Sequence, residues 1–171
     1  MTTKFLRFVL GLLLATVSVP AVAANACYTP EQMQAEQLLR LHSELMVVTV
    51  TCHESSRGQD LGAAYGDFTK RNIRVLHDAE QTMIGYYKAH KKGDPTEHLD
   101  RLRTILANEY GQKSADMSPP VFCTDYRDEV VKMETATPAD VENEVQRMVI
   151  AERSFAPLCH GGPVLAKNKY K

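Results

Sequence analysis

Cys27 and Cys52 limit what this chain can fold into, because they stand just before and at the end of one stretch, residues 29–53, that reads as a single amphipathic helix. At 1.5 Å per residue the 25 positions between them span about 35 Å. The Cα atoms of a disulfide approach within about 7 Å. A continuous helix therefore forbids a Cys27–Cys52 bond and sends each cysteine to a partner elsewhere.

The helix reading rests on its start and its stripe. In Thr29-Pro30-Glu31-Gln32 the threonine hydroxyl caps free backbone amides, proline sits where no amide bond is needed, and Gln32 reaches back to the cap. Leu38, Leu41, Leu45, Val48 and Cys52 recur at spacings of three and four; Leu39 and Met46 widen the stripe. Glu36, Arg40, Ser43 and Glu44 lie off it. Residues 46–51 favour strand by composition, but the helical period of the flanking turns runs straight through them.

Ahead of this helix, Lys4 and Arg7 are followed by an apolar run over residues 8–19, Pro20 and the small-residue pattern Ala21-Val22-Ala23. That order predicts a secretory signal peptide over residues 1–23. The apolar run is shorter than the ~20 residues a membrane span needs. Ala24-Asn25-Ala26 is a poor sequence for lipidation of Cys27, which would also leave an odd number of thiols. Without Lys4 and Arg7 the formal net charge goes from −1 to −3, and the body holds no basic cluster, so nucleic acid is not an expected partner. No second apolar run reaches membrane length, and the processed chain is not expected to be an integral membrane protein.

Four more helices follow by pattern. Residues 61–91 read as the longest, with Leu61, Tyr65, Phe68, Val75, Leu76, Ala79, Met83, Tyr86 and Tyr87 inward; Gly62 and Gly66 suggest close approach to a neighbour at its start. Lys91-Lys92-Gly93 ends it, and Asp94-Pro95-Thr96-Glu97 opens the next, which Gly111 stops ahead of a loop over 112–120. Residues 121–134 form the fourth, and Thr137-Pro138-Ala139-Asp140 begins the last, which runs to Arg153. Proline and glycine exclude helix beyond Phe155, so residues 157–171, with Lys167, Lys169 and Lys171, are expected to be a flexible C-terminal tail. The prediction is an all-α, antiparallel four- to five-helix bundle stapled by disulfides, one domain over residues 24–156. With the first helix up, the second down, the third up and the last two down together, Cys52 meets Cys123 at one end and Cys27 meets Cys159 at the other.

Chemistry is less legible. Cys52-His53-Glu54-Ser55-Ser56 gathers nucleophile and base types, but neighbours at a helix end diverge, and a disulfide role suits Cys52 better. His42, His53, His77, His90, His98 and His160 show no pair at metal-ligand spacing; no zinc, haem or nucleotide motif occurs, and no metal or cofactor is expected. The inner face of the second helix carries aromatics with Asn72 beside them, so a ligand pocket, if present, is expected around Tyr65, Asn72, His77 and Tyr86. The functional expectation is a secreted or periplasmic, non-enzymatic protein that binds an envelope protein or a small ligand. The alternative is an extracytoplasmic hydrolase or ligand-handling enzyme with a site dispersed around His77, Asp78 and Glu80.

Overall fold

The structure is a computed structural model that describes residues 27–55, 58–151 and 153–159. The expected signal segment, residues 1–23, and the end of the chain from residue 160 lie outside the described residues. Six helices follow one another: α1 Pro30–Thr51, α2 Leu61–Arg71, α3 Ile73–His90, α4 Pro95–Met117, α5 Pro119–Met133 and α6 Pro138–Ala151. One 3-10 turn, His53–Ser55, follows α1. No strand occurs among the described residues; a single parallel bridge joins Tyr28 to Leu158. The fold is an all-helical bundle with two disulfides.

The proline-containing starts work as local chemistry dictates. Thr29 Oγ1 accepts from the Gln32 amide at 3.3 Å while Gln32 Oε1 accepts from the Thr29 amide at 2.9 Å, closing a capping box. Asp94 accepts from the Thr96 amide at 2.8 Å. Thr137 and Asp140 cap reciprocally, at 3.3 and 2.9 Å. Gly93, at φ 97°, takes the left-handed turn that separates α3 from α4.

α1 is the central helix, packed against all five others. Its stripe Leu38, Leu39, Leu41, Leu45, Val48 and Cys52 is fully enclosed with Phe68, Met83, Leu106, Phe122 and Val141 from its neighbours. Cys52 is bonded to Cys123 (Cα–Cα 5.4 Å) and Cys27 to Cys159 (5.0 Å), one staple at each end of α1.

Five local expectations need correction. The long second helix is divided at Asn72, whose side chain bonds the Phe68 carbonyl of its own helix and the Ala136 carbonyl across the bundle, at 3.0 and 3.1 Å. α4 does not stop at Gly111 but runs on to Met117, because a lone exposed glycine weakens a helix without ending it and Gln112 bridges to Asp116 at 2.7 Å. Ser118, at φ 70°, makes the turn instead, and Pro119 starts α5. The small-residue start of α2 is not a close contact: a Cβ on Gly66 would meet nothing within 4 Å, and one on Gly62 only the Asp60 side chain. Met46, placed on the buried stripe by its period, is exposed. The first residues of the expected tail are held, since Tyr28 donates to the Pro157 carbonyl at 2.8 Å and accepts from the Cys159 amide at 2.9 Å.

Candidate functional site

The first half of α1 carries a charge arrangement that its position off the apolar stripe did not announce. Glu36 and Gln37 are completely enclosed, and Arg40 and Ser43 nearly so, because α1 has no solvent-facing side at this level. Residues 153–159 close over them. Both Glu36 oxygens accept the Phe155 amide, at 3.0 and 3.2 Å, and Gln37 Nε2 donates to the Arg153 carbonyl at 3.5 Å. The Tyr28 hydroxyl is a further partner of Glu36. Arg40 lies 3.8 Å from Glu36, bonds to Glu109 of α4, and sets its guanidinium 5.7 Å from the centre of the Phe155 ring. Ser43 turns inward to the Leu39 carbonyl at 2.8 Å.

Burial governs the ionisation of this cluster. Desolvation raises the Glu36 pKa, against the pull of the Phe155 amide, Tyr28 and Arg40, which favour the carboxylate. Desolvation and the nearby Glu36 charge raise the Tyr28 hydroxyl and push Tyr87 up to about 12. For Arg40, burial acts downward, but the bond to Glu109 and its charge prevail and hold the guanidinium firmly ionised.

On the outer side of this cluster lies a cleft of about 580 Å³, lined by Arg40, Glu109, Tyr110, Lys113, Arg153 and Phe155 among others. α4 supplies Glu109, Tyr110 and Lys113 from successive turns, and the closing segment supplies Arg153, Ser154 and Phe155. The Lys113 ammonium sits over two rings, 4.9 Å from Tyr110 and 5.2 Å from Tyr126.

The residues anticipated as a pocket are not brought together. Tyr65 is half-buried on α2, its hydroxyl 2.8 Å from His42 Nε2 with the rings stacked at 5.5 Å. Asn72 is enclosed at the α2–α3 joint, with backbone carbonyls on its Nδ2. His77 is exposed on α3. Tyr86 is core, edge-on to Tyr28 at 4.7 Å and in contact with Tyr87 and His90. Fourteen positions separate Asn72 from Tyr86, about 20 Å of helix, so one cavity does not collect them. Of the dispersed set around His77, Asp78 is exposed as well, and Glu80 is engaged with Arg103 at 2.8 Å. Cys52, Cys123, Cys27 and Cys159 are disulfide-bonded and hold no free thiol.

Sequence reasoning passed over Glu36, Gln37, Arg40, Glu109, Lys113 and Phe155. The available signal was the Glu36–Arg40 pair, four apart, inside a helix whose apolar stripe was already wide. Among the described residues, no three His, Cys, Asp or Glu side chains are grouped to hold a metal ion. Among them, too, no helix is long and apolar enough to cross a membrane. No family model, curated protein or solved structure matches this chain.

Proposed function

We propose that this chain is an extracytoplasmic, non-enzymatic binding protein, and that the cleft between α4 and residues 153–156 takes a small ligand or one protruding group of an envelope partner. The observation that carries the reading is the cleft itself. Its volume, about 580 Å³, falls within the roughly 300–1,000 Å³ of small-molecule sites. Charged and aromatic side chains share its lining, and buried Glu36 and Arg40, with Glu109 at the surface, form an ion-paired chain beside it, so little ordering accompanies association. Two disulfides and the signal-like start favour an oxidising compartment.

The rival enzymatic reading has less support. Glu36, the carboxylate with the raised pKa, is wholly covered and engaged with Phe155, Tyr28 and Arg40, which suits a structural role. His77 and Asp78 are exposed and do not line this cleft.

The purified, processed protein is incubated with a panel of esters, peptides and cell-wall glycan fragments while amide NMR spectra are recorded. Shifts at Tyr110, Lys113 and Phe155 without product formation are expected. Turnover that is lost on His77→Ala overturns the binding reading. The location is checked by mass spectrometry of the extracytoplasmic fraction, where a chain beginning near Ala24 is expected. Recovery of the intact chain in membranes refutes that location.

A further inference from the structure

Of the described lysines and arginines, four are less than fully exposed: Arg40, Arg103, Lys113 and Arg127. Three of them hold a carboxylate, Glu109, Glu80 and Asp128 respectively. Lys113 holds none among the described residues; its ammonium lies over the rings of Tyr110 and Tyr126. A half-buried lysine with no anionic partner among the described residues is electrostatically incomplete, and ring faces replace only part of the solvation its ammonium gives up. Lys113 lines the cleft of about 580 Å³ together with Phe155 and Arg153.

We infer that the ligand of this cleft is a carboxylate joined to an apolar or aromatic body, with Lys113 as the charge partner of the carboxylate and the Phe155 and Tyr110 rings covering the body. The inference rests on the cleft being the binding site. Glu109 does not oppose it, because its charge is engaged by Arg40. A cationic ligand is disfavoured, because Arg40, Lys113 and Arg153 outnumber Glu109 along the lining. A free organic acid and the C-terminal carboxylate of a peptide share this chemistry.

The full processed chain is titrated by amide NMR with 3-phenylpropionate and with N-acetyl-phenylalanine, each against its primary amide, and with phenethylamine. Both acids, or one of them, are expected to shift the Tyr110, Lys113 and Phe155 amides with a Kd about tenfold below that of the matched amide, as expected for one charge-assisted bond. Preference for N-acetyl-phenylalanine over 3-phenylpropionate identifies a peptide end; the reverse identifies an organic acid. Lys113→Met keeps the aliphatic stem and is expected to abolish the acid-over-amide ratio, while Lys113→Arg retains it, with unchanged thermal midpoints showing that both variants are folded. If amides or the amine bind as well as the acids, or if Lys113→Met keeps the ratio, the carboxylate inference is overturned and the cleft remains a binding site. If none of the five probes moves these amides, the cleft reading falls with it.

Discussion

The two halves of α1 are built on opposite principles although they belong to one uninterrupted helix. From Leu41 to Cys52 the inward side is Leu41, Leu45, Val48 and Cys52, packed on Phe68 and Phe122, and the polar positions His42 and Thr49 are satisfied locally or by one neighbour. From Ala35 to Arg40 the helix is enclosed on every side, and its polar face is covered with Glu36, Gln37 and Arg40 in place. The second half gains stability by removing apolar surface from water, which is non-directional and tolerant. The first depends on directional partners, two of which, the Arg153 carbonyl and the Phe155 amide, come from beyond residue 150, and each partner lost leaves a buried polar group exposed to no solvent. The half that is costlier to assemble is the one that backs the cleft.

The largest effects separate the halves by their staples. Replacing Cys27 and Cys159 together by Ala opens a 132-residue loop, and replacing Cys52 and Cys123 a 71-residue one. Loss of roughly 4–5 kcal/mol is expected for each in urea titrations, with the longer loop costing about 0.5 kcal/mol more by chain entropy. Only the first pair anchors the segment that covers Glu36, so hydrogen exchange at Phe155 is expected to accelerate beyond the global effect in that variant alone. Equal acceleration in both would erase the distinction.

Next come single side chains. Arg40→Met strands two carboxylates, one fully buried, and is expected to cost about 3–5 kcal/mol. Adding Glu36→Gln is expected to restore part of that loss, since the buried charge is then gone. In the apolar half, Leu45→Ala is expected to cost about 2–4 kcal/mol through its cavity, with no second-site rescue by a change of charge. Full additivity of the Arg40 and Glu36 changes in a double-mutant cycle would show that these groups do not act as a unit.

The halves also respond to acid with opposite sign. Burial, helped by the Arg103 charge, lowers the His42 pKa from 6.5 to about 4, so between these values the unfolded chain takes a proton that the fold refuses. Stability from this site is fully present above about 6.5 and falls as pH drops toward 4, by about 3 kcal/mol in all. His42→Phe is expected to remove the slope. Glu36 is raised from 4.5, so the fold binds its proton more tightly than the unfolded chain does; its contribution is complete below 4.5 and is lost as pH rises through the raised value. The smallest expected effect is therefore a flattening of stability above pH 4.5 in Glu36→Gln, opposite in sense to that in His42→Phe. Denaturation midpoints measured from pH 4 to 8 distinguish them, and a shared direction of change would contradict the contrast.

Much of the framework was legible in the chain. Thr29-Pro30, Asp94-Pro95 and Thr137-Pro138 each open a helix where side-chain oxygens can cap free amides, an interaction confined to a few neighbouring residues. The period of Leu38, Leu41, Leu45 and Val48 gives the inward face for the same local reason. The length of α1, together with the alternating helix directions, keeps Cys27 and Cys52 apart and brings them to Cys159 and Cys123. What the tertiary structure decided is which helix is surrounded. Glu36 and Gln37 look like surface residues until the chain returns, 119 and 116 positions later, to cover them. Lys113 looks like one more solvated lysine until α4 continues past Gly111 and sets it over Tyr126 of α5. Helix caps and stripes follow from hydrogen bonds and side-chain directions within one or two turns, whereas burial of a charge and the shape of a cleft depend on what packs across the gap, which no local pattern encodes.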